Sequence, residues 1–99
     1  MLNATAVRVL SAIFVGSPID AYAFGSALHS AAPNDFDILI VYPRTMSAYD
    51  ALALRRRVKG LVGKKLGVTA HVVLLSATEE LEVSFVAKER CMNVLDLVE

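Results

Sequence analysis

The sequence predicts an α+β fold, a small mixed or antiparallel β-sheet with helices packed on it. Three observations point there. The 99-residue chain is 56% hydrophobic and only 20% charged, enough apolar material for one compact core and far from the composition of a disordered segment. Apolar residues recur at helical and then at strand spacing, in the order α-β-turn-β-α-β-α. The segment DFDILIVY, residues 35–42, contains an unbroken apolar run from Ile38 to Val41, as expected of a strand buried on both faces. A single domain over residues 1–99 is the expected organisation, with no internal repeat, linker or low-complexity tract.

Each element has its own signal. Asn3 or Thr5 is a candidate cap for a first helix, whose apolar positions Val7, Leu10, Ile13 and Phe14 fall on helical spacing. Gly16, Ser17 and Pro18 end it. A short strand is expected from Ile19 to Phe24, followed by a turn at Gly25 and Ser26. Residues 27–33 read as a loop or one helical turn, closed by Pro33. The central strand DFDILIVY follows and stops at Pro43. Thr45 or Ser47 opens the next helix, which turns Ala51, Leu54, Val58 and Leu61 to one side and closes at Gly63 or Gly67. Val68 to Leu75 reads as a third strand. Ser76 or Thr78 caps a last helical segment with Glu79 and Glu80 in its first turn, and residues 81–98 are expected to continue it, with a break near Asn93.

Charge and cysteine usage narrow the function classes. Ten basic and ten acidic residues cancel, which argues against a general nucleic-acid coat. Six of the ten cations, Arg55, Arg56, Arg57, Lys59, Lys64 and Lys65, are nevertheless concentrated in one region. A solvated helix face is the plain reading; a patch for a triphosphate tail, an RNA end or an acidic partner is the other. No aromatic residue interleaves with the cluster, so stacking on single strands has weak support. The lone cysteine, Cys91, cannot form an internal bridge, reads as packed in a helix and fits a cytoplasmic, reducing compartment. The stretch RVLSAIFVGSPIDAYA has the outline of a secretory signal, but only Arg8 supplies positive charge and Asp20 lies just before the would-be cleavage site. No apolar run reaches the length of about 20 residues that a membrane helix needs.

The chemistry is concentrated in FGSALHSAAPNDFDILIVYP. Asp35 and Asp37 lie two apart on a strand, so both side chains leave the same face. At a separation of about 6–7 Å and an effective dielectric near 20, their repulsion is of order 2–3 kcal/mol. A divalent cation offsets that cost, and magnesium takes a couple of carboxylates together with phosphate oxygens and waters. The pair therefore suits phosphoryl or nucleotidyl transfer. Gly25 allows a phosphate to approach the backbone closely, and the N–H groups of the turn with the Ser26 hydroxyl are candidates to hold its oxygens. An isolated Asp-x-Asp would read as strand-entry and edge residues; a strand-Gly-Ser turn ten residues ahead of it favours a site.

Residues 23–41, AFGSALHSAAPNDFDILIV, resemble the signature of the polymerase-β-type nucleotidyltransferase superfamily in its minimal, stand-alone form. That signature is a hydrophobic-Gly-Ser turn, a short gap, and Asp-x-Asp in an apolar strand. The resemblance implies a polymerase-β-like core, a magnesium-bound nucleoside triphosphate (ATP in the first instance), and transfer of a nucleoside monophosphate to an acceptor hydroxyl. Gly25 and Ser26 match the phosphate-holding pair, and Asp35 and Asp37 match the first two metal ligands. The third carboxylate of the family, its natural base, falls at His71 in VTAHVVLLS. An imidazole is able to take a proton near neutral pH, but magnesium favours oxygen over nitrogen. A histidine at this point is also compatible with a plain sheet-edge position. His29 stands near where relatives carry an arginine, and reads either as a weak phosphate contact or as an idle loop residue. Asn34 stands where serine is common. Glu79 and Glu80 read as helix-capping residues, with a supplementary carboxylate as the lesser alternative.

Small members of this superfamily commonly work with a separate helical protein, as in a two-gene toxin–antitoxin pair in which the nucleotidyltransferase adenylylates an RNase-like partner. The resemblance implies such a partner here, and the hydrophobic content is also compatible with self-association, with Leu81 to Val98 as the candidate contact. Two other classes stay open: a degenerate, non-catalytic domain acting by partner or nucleotide binding, and a nucleic-acid adaptor using the Arg55–Lys65 cluster.

Overall fold

The computed structural model describes residues 4–25, 28 and 35–97. Helix α1 (Ala4–Phe14) leads into β1 (Asp20–Phe24), and β2 (Asp35–Tyr42) follows. Helix α2 (Ala48–Leu66) crosses over to β3 (Thr69–Ser76). A short helix α3 (Ala77–Val83), a single turn α4 (Phe85–Lys88), a two-residue strand β4 (Met92–Asn93) and a 3-10 turn (Val94–Leu97) complete the chain. The four strands form one mixed sheet in the order β3-β2-β1-β4. β1 runs antiparallel to β2 and to β4, while β2 and β3 are parallel, as a helical crossover requires. The α+β class and the mixed sheet expected from the sequence are present.

β2 is the central strand, and its residues alternate between two environments. Phe36, Ile38 and Ile40 point to one face and are at most 2% exposed. Alanines flank them in register: Ala23 and Ala21 on β1 lie opposite Ile38 and Ile40, and Ala70 on β3 lies opposite Phe36. Large residues on the middle strand and small ones beside them let the helices sit close to the sheet. Val7, Leu10 and Phe14 of α1 and Val58 and Val62 of α2 fill that layer. Burial of each large apolar side chain there contributes about 1.5–3 kcal/mol.

Local chemistry marks the ends of α2. The Ser47 hydroxyl accepts from the Asp50 N–H at 3.0 Å, and Lys64 and Lys65 occupy the last turn, where cations suit the dipole. Gly67 adopts φ 68°, and its N–H reaches the Gly63 carbonyl, so Gly67 is the stop and Gly63 lies within the helix. Among the described residues no helix is long and apolar enough to cross a membrane.

The C-terminal segment departs from expectation. A helix was expected over 81–98, but α3 ends at Val83 and β4 forms where only a helix break was expected. Two interactions end the helix. Ser84 takes a left-handed conformation, φ 52°, while the Glu80 carboxylate accepts the Phe85 and Val86 N–H groups at 3.0 and 3.1 Å. Farther on, Met92 and Asn93 pair with the open edge of β1 at Ala23 and Tyr22. Cys91 lies in the turn before β4, not in a helix, and is half-buried.

The segment after β3 returns over the second face of the sheet. Leu39 and Val41 of β2 point there and are 0% and 8% exposed. α3 packs on β3 and β2, and Phe85 meets Phe24 edge-to-face with centroids 5.1 Å apart. That cover runs from Leu39 and Val41 to Phe24, the register partner of Asp37.

Candidate functional site

Asp35 and Asp37 stand on the same second face as Leu39 and Val41, at the N-terminal end of β2. Asp37 is half-buried and Asp35 exposed. Because β2 is flanked on both sides, Asp37 has two register partners: Phe24 on β1 and His71 on β3. The turn after Phe24 and the histidine therefore both stand beside Asp37. Two strand pairings thus gather residues that are distant in sequence.

Gly25 is the closest neighbour. Its φ of +65° is a left-handed conformation that a side chain disfavours, and a Cβ placed on it would collide with Oδ2 of Asp37. Only a glycine both turns the chain here and leaves room for the carboxylate. The Leu28 N–H donates to the Gly25 carbonyl at 3.1 Å and closes the turn. On the other side, His71 Nε2 lies 3.6 Å from Oδ2 of Asp35. Their side chains are 59% and 52% exposed, so water screens the contact and it contributes little to stability.

Of the residues expected at the site, Gly25, Asp35, Asp37 and His71 come together. Ser26, His29 and Asn34 lie outside the described residues. The two glutamates are engaged elsewhere. Glu79 closes a capping box, accepting from the Ser76 N–H at 2.9 Å while its own N–H donates to the Ser76 hydroxyl at 3.1 Å. Glu80 caps the chain at Phe85 and Val86. Among the described residues no group of three or more His, Cys, Asp or Glu side chains is arranged to hold a metal. The basic cluster on α2 belongs to the helix layer, and the sheet separates Arg55, Arg56, Arg57 and Lys59 from the aspartates.

Two residues take a part beside the site that the sequence did not show. Phe85 reaches back to Phe24, one residue before the glycine turn, and so braces the strand end that carries it. Glu80 holds that segment in place. The only advance signal was an acid five residues ahead of an apolar Phe-Val pair, which is too common to act on. Comparison of the chain with family models, curated proteins and solved structures gives no match.

Proposed function

We propose that this chain is a magnesium-dependent nucleotidyltransferase of the minimal type, built on a polymerase-β-like core. It moves a nucleoside monophosphate from a nucleoside triphosphate, ATP in the first instance, to an acceptor hydroxyl. The observation that carries this reading is the packing of the Gly25 turn against the Asp37 carboxylate, with Asp35 on the same open face. A glycine turn and a pair of carboxylates are thereby adjacent.

The donor set fits magnesium that arrives on a triphosphate. Among the described residues the two carboxylates have no third ligand grouped with them, and such a pair leaves positions for phosphate oxygens and water, the coordination magnesium prefers. Asp35 and Asp37 would hold the ion. When bound, it supplies charge neutralisation and alignment of an in-line displacement. The Gly25 backbone lets the phosphate chain lie close, and Ser26 is the expected hydroxyl partner. The acceptor oxygen forms a bond to the α-phosphorus, the bond from that phosphorus to the bridging oxygen breaks, and pyrophosphate leaves. His71 occupies the position of the base that takes the acceptor proton. The resemblance implies a protein hydroxyl on a helical partner as the acceptor.

The test is transfer of label from α-labelled ATP to a co-purified or supplied acceptor, with magnesium present or chelated. Transfer that needs magnesium and is lost in Asp37→Asn supports the reading; transfer indifferent to both overturns it.

One observation favours a second reading. His71, opposite Asp37 in register, stands where a third carboxylate is expected. A degenerate domain that binds nucleotide or partner without catalysis accounts for it. Such a protein shows no transfer as wild type, and His71→Asp restores it.

A further inference from the structure

Behind the aspartate corner stands a second set of contacts, made by the segment that leaves α3. β4 pairs with Tyr22 and Ala23 and stops one residue short of Phe24. There the Phe85 ring takes over. It meets the Phe24 ring edge-to-face, with centroids 5.1 Å apart and planes at 83°. Phe24 is also the residue directly opposite Asp37 in the antiparallel ladder. Residues so opposed leave the same face with Cβ atoms about 4.5–5.5 Å apart. Phe24 therefore borders both Phe85 and Asp37, and the next residue is Gly25, packed against that carboxylate.

Phe85 is itself held in place. The Glu80 backbone carbonyl accepts the Ser84 N–H at 2.8 Å, and the Glu80 carboxylate accepts the Phe85 and Val86 N–H groups at 3.0 and 3.1 Å. Hydrogen bonds to an ionised acceptor are the stronger kind. The Glu89 N–H returns to the Phe85 carbonyl at 2.9 Å. Cys91 belongs to the same group of contacts. Its N–H donates to the Val86 carbonyl at 2.9 Å, and its half-buried Sγ lies 4.0 Å from the Phe85 carbonyl oxygen. Phe85 is only half-buried and stands apart from the core beneath α1 and α2, so its ring bears on the strand end more than on the sheet. Without that ring, a triphosphate has to order the end of β1 and the glycine turn as it binds.

Given the reading of the corner as a nucleotide site, we infer that Phe85, held by Glu80, is a positioning residue for the magnesium-bound triphosphate. It fixes Phe24 and, through Phe24, the Gly25 turn against Asp37. Coupling of this kind is reciprocal, so occupancy of the corner steadies the Phe85 segment in turn. Cys91 reports that effect, because alkylation of a half-buried thiol is faster when the segment around it opens.

The experiment pairs calorimetric titration of magnesium-ATP with alkylation of Cys91 by iodoacetamide, on the wild type, Phe85→Ala, Phe85→Tyr and Val58→Ala. Phe85→Ala is expected to bind about two- to tenfold more weakly, the equilibrium equivalent of one lost aromatic pair. Phe85→Tyr keeps the ring and binds as the wild type does. Val58→Ala, on the buried side of α2, lowers the urea midpoint and leaves the affinity of the folded protein unchanged. Saturating magnesium-ATP slows alkylation of wild-type Cys91 by a factor similar to the loss in Phe85→Ala, and the slowing disappears in that variant. Alkylation of the wild type needs no variant, so it decides even where Phe85→Ala fails to fold. Wild-type affinity in Phe85→Ala overturns the inference and leaves the nucleotide corner standing. An equal loss in Val58→Ala, or no recovery in Phe85→Tyr, overturns it in the same way. So does alkylation indifferent to magnesium-ATP in a wild type that binds it. A wild type that gives no heat with magnesium-ATP removes the nucleotide corner itself, and the inference with it.

Discussion

The two faces of the central sheet are made from the same strands and have opposite characters. On the first face, Phe36, Ile38 and Ile40 are sealed beneath α1 and α2. On the second, the intervening residues of β2 change character along the strand: Leu39 and Val41 are buried under the returning C-terminal segment, while Asp37 is half-buried and Asp35 exposed. A strand of eight residues thus places its stability on one parity and its chemistry on half of the other. The difference shows why two acids are tolerated at the mouth of an apolar strand. Asp35 is exposed and Asp37 half-buried, so both keep part of their hydration until a ligand displaces it.

The strongest way to break that division is through the sealed face. Phe36→Ala is expected to lose about 3–5 kcal/mol of stability in urea unfolding, because the side chain is nearly inaccessible and its space cannot collapse. The neighbouring change on the other parity, Asp37→Asn, is expected to move stability by no more than about 0.5 kcal/mol. Comparable losses from the two would mean that the faces are not divided as described.

Next in size is Gly25→Ala. The left-handed φ costs about 1–2 kcal/mol for a residue with a Cβ, and the added methyl must also displace the Asp37 carboxylate. Both stability and affinity for magnesium-ATP should fall together, whereas a variant with unchanged nucleotide binding would detach the turn from the site. Ser76→Ala removes the capping box that starts the segment covering Leu39 and Val41, and a loss of about 1 kcal/mol is expected. An unchanged urea midpoint would show that the cap is not needed to hold that cover.

The smallest effect concerns Cys91 under the same cover. Burial, with Glu80 and Glu89 nearby, pushes its thiol up to about 11. The folded protein then holds the proton more tightly than the unfolded chain. The contribution is fully present below the unfolded chain's thiol value and is lost as pH rises from there toward about 11. The urea midpoint should drift down over that range, less so in Cys91→Ala, and the native thiol should alkylate slowly at neutral pH. Rapid alkylation of the folded protein would place Cys91 in solvent and loosen the described cover.

Much of this division was legible in the residues. DFDILIVY reads as a strand with the bounds observed, because its apolar run and the flanking Pro43 are local signals. Ser47, Gly67 and Ser76 are local as well, and each is the terminus that was offered among alternatives. The alternation on β2 sends Asp35 and Asp37 to one face whatever surrounds them. Which residues would join them depended on strand pairing: the parallel register that brings His71 beside Asp37 is a property of the whole sheet. The segment after Val83 was misread for the same reason. Its helical periodicity continues past Val83, but the Glu80 cap and the open edge of β1 outweigh local propensity there. Val62, buried on the same helix stripe as Val58, was passed over in favour of Leu61, which is only half-buried.

The central claim is that Gly25, Asp35 and Asp37 form one binding corner for a magnesium-bound triphosphate. Calorimetric titration of ATP into the wild type and into Asp37→Asn, each with magnesium and with chelator, tests it directly. Saturable heat is expected only for the wild type with magnesium, with Asp37→Asn folded to the same stability and silent. Equal binding by the two proteins, or binding indifferent to magnesium, would contradict the account.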